Sequence, residues 1–65
     1  MTIYHVWLTG QGEPETVRAD QVYVGHGLLF YDLNLDGSRT VRRYLEADNW
    51  RKWAVVHDDT DHVHI

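Results

Sequence analysis

The densest concentration of residues able to take part in binding chemistry lies between positions 39 and 53. Basic and aromatic side chains are interleaved there, and we predict a binding patch made of Arg42, Arg43, Tyr44, Trp50, Arg51 and Trp53. Guanidinium groups and large aromatic rings dominate the energetic centres of protein–protein interfaces. The same residue types bind single-stranded nucleic acid, with the charge on phosphate and the ring under a base. An ordinary solvated surface, in which the arginines pair with nearby acids, is the third interpretation.

The charge balance favours a protein partner over nucleic acid. The chain has six basic and ten acidic side chains, which gives a net charge of -4 with the histidines neutral. A protein with this balance repels polyanions at long range, so general nucleic-acid binding would need the basic segment to form one coherent face. Imitation of DNA by acids such as Glu13, Glu15, Asp20 and Asp32 is a further alternative, although the charge density is modest for that role.

The last nine residues combine histidine with aspartate. His57, His62 and His64 and the neighbouring acids are groups that can ligate zinc, nickel or copper. Flexible ligands must be ordered when a metal binds, however, and the sequence shows no residues that would orient the rings. We therefore interpret residues 57–65 as a solvated polar tail and predict no cofactor, with metal binding by His57, His62 and His64 as an alternative function.

Catalytic motifs are missing from the sequence. There is no cysteine and no nucleophile elbow, and Gly10-Gln11-Gly12 is followed by Glu13-Pro14 rather than by the start of a helix. A chain of 65 residues can hardly enclose a pocket of about 300 Å³ within one monomer. These features predict that the protein is not an enzyme.

Alternation of apolar and polar residues predicts that short β-strands position these groups. The second strand has an irregularity, because Val17 and Val22 are at odd and even positions and would lie on opposite faces of one regular strand. We therefore expect a bulge or kink at Asp20-Gln21. Five strands are expected in total, at residues 3–9, 16–24, 28–33, 40–46 and 50–56.

Residues 39–46 have two possible structures. Val41, Tyr44 and Leu45 are at helical spacing, which would suit two helical turns. The Asp36-Gly37 pair is a strong hairpin signal, however, and a hairpin needs a returning strand. We therefore predict a strand in this segment.

Together these elements predict one all-β domain at residues 1–56, followed by the tail at 57–65. We expect a single small antiparallel sheet of about five strands, curled or closed as an SH3-like barrel. The layout, with a one-turn break at Ala47-Asp48-Asn49 before the last strand, resembles that of SH3-like and Sm-like barrels. It also resembles short β-rich proteins of high-GC bacteria and their phages. The resemblance is one of layout and implies no functional residue.

The aromatic content of the chain favours self-association or another protein partner. Three tryptophans, four tyrosines and one phenylalanine exceed what one small core can hide. A homodimer or another protein partner could cover the remaining rings, so we predict a non-enzymatic module that acts through protein–protein contacts.

Signals for membrane association are missing from the sequence. No apolar run is long enough to span a bilayer and the N-terminus lacks a basic signal-peptide region, which predicts a cytoplasmic protein without membrane association.

Overall fold

Two small antiparallel sheets form the fold, which we describe from a computed structural model covering residues 1–58. The elements in chain order are β1 (Thr2–Leu8), β2 (Glu15–Ala19), β3 (Gln21–Val24), β4 (Gly27–Leu33), β5 (Arg39–Glu46), a 3-10 helix (Ala47–Asn49) and β6 (Trp50–Asp58). One sheet has the strand order β2-β1-β6 and the other has β3-β4-β5. The predicted all-β class is confirmed, but two three-stranded sheets replace the single sheet of five strands.

The predicted second strand divides at Asp20, where the chain leaves one sheet and enters the other. Ala19 and Val22, on either side of this point, would lie on opposite faces of one continuous strand, yet both contact the core. The Asp20 backbone N–H donates to Asp32 Oδ1 at 3.0 Å, and the Leu33 N–H donates to Asp20 Oδ2 at 3.0 Å. The expected kink is therefore present, and these hydrogen bonds fix it.

Residues 39–46 form a strand rather than a helix. The turn before it closes with a hydrogen bond from the Gly37 N–H to the Asn34 carbonyl at 3.0 Å, and Gly37 has a φ of 90°. The hydroxyl and the backbone N–H of Ser38 both donate to the Asp36 carboxylate, which lowers the pKa of that carboxyl below its ordinary value. The hairpin predicted at this Asp-Gly pair is confirmed.

Gly27, at the start of β4, is required because a side chain there would clash with neighbouring atoms, not because the backbone needs a positive φ. Glycine often supplies the positive φ of a tight turn, but neither Gly25 nor Gly27 adopts one. A Cβ atom on Gly27 would lie 2.6 Å from the Leu45 carbonyl oxygen and 2.7 Å from the Tyr44 hydroxyl. The close approach of β5 is therefore the reason for glycine at this position.

The substitution Gly27→Ala is expected to destabilise the domain by more than about 1 kcal/mol, because β5 must move to admit the methyl group. Gly12→Ala is the matched control, since a Cβ there meets nothing within 4 Å, and its effect should stay within about 0.5 kcal/mol. Urea unfolding followed by tryptophan fluorescence compares the two. Equal midpoints for both variants would show that the close approach of β5 is not a constraint.

The core lies between the two sheets. Val6 of β1 and Leu28 and Phe30 of β4 are fully buried, and the Phe30 ring lies 5.0 Å from the ring of Tyr4 on the opposite sheet. The other buried members of this cluster are Val17, Ala19 and Leu45. A few rings and branched side chains therefore join the two sheets.

The last strand extends further than predicted. β6 ends at Asp58 rather than at residue 56, and its last residues pair with Thr2 and Ile3 of β1. His57, which we expected in the tail, therefore belongs to the sheet. Within residues 1–58, none of the helical structure is long and apolar enough to cross a membrane.

Candidate functional site

The predicted binding patch is distributed over two sheets. Its strands, β5 and β6, are at the edges of different sheets and are not neighbours in the part of the chain that the structure describes. Trp50 and Trp53 lie opposite Leu8 and Val6 of β1 and pack, half-buried, against the core. The Trp53 ring contacts that of Tyr4 edge-on, with the centroids 5.9 Å apart. The two tryptophans therefore contribute mainly to the core.

Two arginines of the predicted patch are ion-paired. The Nε atom of Arg42 donates to Asp32 Oδ2 at 2.6 Å, and that of Arg43 donates to Glu15 Oε2 at 2.7 Å. Arg43 makes a second hydrogen bond to the same carboxylate, from Nη2 to Oε1 at 3.2 Å, and so joins β5 to β2 of the other sheet. Arg51 is exposed and its Nη2 lies 3.4 Å from a backbone carbonyl. Arg42 and Arg43 thus have structural partners.

Tyr44 lies apart from these groups, on the outer face of the β3-β4-β5 sheet. The register places Tyr23, Leu29 and Tyr44 in one row across the three strands, and Tyr31 beside Val41 in the next. Cross-strand neighbours share a face of a sheet, and we call these five residues the tyrosine face. Tyr23, Val41 and Tyr44 are 63%, 59% and 52% exposed. Large apolar groups therefore meet solvent together on one side of the molecule.

Tyr31 provides a fixed base for the tyrosine face. It is only 7% exposed, and the Arg39 guanidinium lies 5.0 Å from its ring centroid. Its hydroxyl donates to Gln21 Oε1 at 3.0 Å. A cation over the ring and a hydrogen bond at its tip hold Tyr31 in place, so the exposed residues beside it stand on a rigid surface.

A register shift in β5 places Val41 and Tyr44 on the same side of the sheet. Arg43 pairs with Phe30 and Val41 with Tyr31, so Arg42 is an extra residue in the ladder. Side chains alternate along a regular strand, and the extra residue moves Val41 to the same face as Tyr44. The predicted patch includes Tyr44 but not Tyr23, Leu29, Tyr31 and Val41, because it groups residues by position in the chain rather than by face. The alternation of side chains along β3 and β4 is the signal that could have indicated the first three.

An open hollow of about 420 Å³ lies beside Arg43. Its lining residues are Leu8, Thr9, Gln11, Arg43, Leu45, Asp48 and Asn49. This volume is larger than the pocket of about 300 Å³ that we expected a monomer of this size could hardly enclose, but the hollow is an open concavity in the surface rather than an enclosed pocket. The Thr9 hydroxyl donates to the Asp48 carbonyl at 2.8 Å. The lining holds no histidine, so it does not assemble a histidine–carboxylate acid–base pair.

Metal ligands are not clustered in the described part of the chain. Among residues 1–58, no group of three or more histidines and acids could hold a metal ion. His57 is exposed and lies opposite Ile3 of β1. His62 and His64 lie outside the described residues, so the alternative of a metal site in the tail stays a hypothesis.

A scan against models of protein families found no match, and searches of curated proteins and of solved structures found no significant similarity. Functional inference therefore rests on the geometry of the chain itself. The feature that this geometry sets apart is the tyrosine face.

Proposed function

We propose that the protein is a non-enzymatic binding module that contacts another protein through the tyrosine face. The observation that carries the proposal is the joint exposure of Tyr23, Val41 and Tyr44 on one sheet face. Tyrosine is enriched in protein interfaces because it offers a large amphipathic contact area and has only two side-chain torsions to order. A rigid sheet with such groups on its surface loses little entropy when a partner covers it.

The charges around this face favour a protein over single-stranded nucleic acid. A nucleic-acid platform combines stacked rings with cations that are free to hold phosphates. Beside the tyrosine face, Arg42 is paired with Asp32 and Arg39 lies over the Tyr31 ring. The net charge of -4 adds long-range repulsion of polyanions. The rings can therefore be covered by a partner, but phosphate groups would find little free positive charge.

The layout of the strands supports a second part of the proposal, that the two sheets together form a small, partly open barrel of SH3-like layout. β1 pairs with both β2 and β6, the chain changes sheets at Asp20, and one turn of 3-10 helix (Ala47–Asn49) precedes the last strand. Such a scaffold presents the outer face of each sheet to solvent. The tyrosine face is one of these surfaces.

The double variant Tyr23→Thr/Tyr44→Thr is expected to lose the partner while keeping the fold. Threonine retains strand propensity, whereas removal of two interface tyrosines should weaken binding at least about a hundredfold. Leu35→Thr is the control, since Leu35 is a fully exposed apolar residue in the turn between β4 and β5. The measurement is affinity capture from the native host with identification by mass spectrometry, followed by Kd determination with the purified partner.

Two outcomes would contradict the proposed function. One is an unchanged set of captured proteins with the double variant. The other is captured material that nuclease treatment releases, which would support single-stranded nucleic acid as the ligand instead. Circular dichroism of both variants checks that the fold is retained.

A further inference from the structure

We infer that the partner segment bound by the tyrosine face is a proline-rich stretch in the polyproline II conformation. This inference rests on the proposed function, because it names the class of ligand for the same surface. Three features of the face carry it: the spacing of Tyr23 and Tyr44 across the sheet, the way their rings lie, and the hydrogen-bonding groups that the face offers.

The spacing of Tyr23 and Tyr44 is set by the strand between them. Tyr23 of β3 pairs with Leu29, and Leu29 pairs with Tyr44 of β5, so the two tyrosines lie in one row. Neighbouring strands are about 4.8 Å apart, which places the backbones of the two tyrosines about 9.6 Å apart. A polyproline II helix has about three residues per turn and repeats every 9.3 Å or so, which is about the same length. Prolines at positions i and i+3 of a segment that crosses the strands would therefore meet the two rings.

Both rings lie against glycine near the turn between β3 and β4. A Cβ atom on Gly25 would lie 2.7 Å from Tyr23 Cε2, and one on Gly27 would lie 2.7 Å from the Tyr44 hydroxyl. Both tyrosines therefore lean towards the same end of the sheet, which keeps the spacing of the row. Their exposed fractions are above one half. The rings thus offer supported, flat surfaces on which proline rings can pack, as in other aromatic-lined grooves that bind such segments.

The hydrogen-bonding groups of the face complement a chain without N–H donors. Within residues 1–58, the hydroxyls of Tyr23 and Tyr44 make no hydrogen bond to the rest of the protein, so both can donate to a ligand. Polyproline II has no internal hydrogen bonds, which leaves its backbone carbonyls open to such donors. Proline also has no N–H that would be buried without an acceptor against the sheet. A neutral, carbonyl-rich segment therefore matches this surface.

Other regular backbones fit the row less well. An extended strand presents side chains to the same side about every 6.7 Å, which is shorter than the tyrosine spacing. An α-helix returns to the same side after about seven residues, or about 10.5 Å, but its backbone carbonyls are bonded within the helix. It would leave the hydroxyls of Tyr23 and Tyr44 without a backbone acceptor. Polyproline II is therefore the backbone that matches both the spacing and the hydrogen bonds.

Fluorescence anisotropy with a labelled decaproline peptide tests the inference. The wild-type chain should bind decaproline at least about tenfold more tightly than a ten-residue glycine–serine peptide, which is also neutral but flexible. Tyr23→Thr/Tyr44→Thr should weaken decaproline binding at least about tenfold. Tyr44→Phe keeps the ring and removes the hydroxyl, so it should weaken binding about threefold. Leu35→Thr, in the exposed turn, should bind as the wild type does.

The position of the rings is tested by a variant that keeps both tyrosines. In Gly25→Ala, the added methyl group would displace the Tyr23 ring, and decaproline should bind about threefold more weakly because the platform is no longer preorganised. Gly12→Ala is the matched control, since a Cβ there meets nothing within 4 Å. Circular dichroism of all variants checks that the fold is retained.

Three results would overturn the inference. They are equal affinity for decaproline and the glycine–serine peptide, an unchanged affinity in Tyr23→Thr/Tyr44→Thr, and equal affinities of Gly25→Ala and Gly12→Ala for decaproline. If decaproline fails to bind while the double variant still loses its captured protein from the native host, the proposed function stands and only the ligand class is wrong. If the double variant captures the same proteins as the wild type, both are wrong.

Discussion

Phe30→Ala should lower the free energy of unfolding of the domain by about 3–5 kcal/mol. Phe30 is fully buried, pairs with Val22 and Arg43 on its two neighbouring strands, and reaches across to Tyr4 on the other sheet. Truncation of a buried phenylalanine costs about 3–5 kcal/mol, because apolar contacts are lost and a cavity remains. A domain of this length has a free energy of unfolding of about 3–10 kcal/mol. The substitution should therefore remove most of the stability.

Near-UV circular dichroism and urea unfolding measure this effect. Leu29→Ala is the control on the same strand, since Leu29 is half-buried on the opposite face and its truncation should cost about 1 kcal/mol. If Phe30→Ala kept a native near-UV spectrum and unfolded at the same urea concentration as Leu29→Ala, the core would not lie between the sheets as described.

The second large effect is expected at Asp32, whose carboxylate is mostly buried. It accepts hydrogen bonds from the Asp20 backbone N–H at 3.0 Å and from Arg42 Nε at 2.6 Å. Asp32→Ala should destabilise the domain by about 1.5–3 kcal/mol, the range for hydrogen bonds to a charged group. It should also weaken partner binding, because Asp32 holds Arg42. Arg42 is the extra residue whose place in β5 brings Val41 to the same face as Tyr44.

Glu13→Ala is the control for this substitution, because it removes the same charge from an exposed loop position. Asp32→Asn should lie between the two, since the amide oxygen can still accept from the Asp20 N–H but no longer carries a charge for Arg42. Thermal unfolding measures the ranking. Equal melting temperatures for Asp32→Ala and Glu13→Ala would show that the kink at Asp20 does not depend on the Asp32 carboxylate.

Local chemistry made several elements predictable. The hairpin at Asp36-Gly37 follows from turn preferences, and the break at Asp20 follows from a change of parity within one apolar segment. The division into two sheets was not predictable in the same way. It depends on the hydrogen bond that the Asp20 N–H donates to Asp32 Oδ1, between residues that are twelve positions apart.

The binding surface was only partly predictable for a related reason. Trp50 and Trp53 are close to the arginines in the chain, but β6 places them against the core opposite Leu8 and Val6. The shift at Arg42 that unites Val41 with Tyr44 is a property of strand pairing, which a single strand's sequence does not encode.

Site-specific photo-crosslinking in the native host is the most direct test of the tyrosine face. A benzophenone amino acid would replace Tyr23 in one variant and Thr16, exposed on β2 of the other sheet, in the other. We expect a discrete covalent protein adduct from position 23 and none from position 16. Adducts from position 16 alone, or equal adducts from both positions, would contradict the assignment of the tyrosine face as the binding surface.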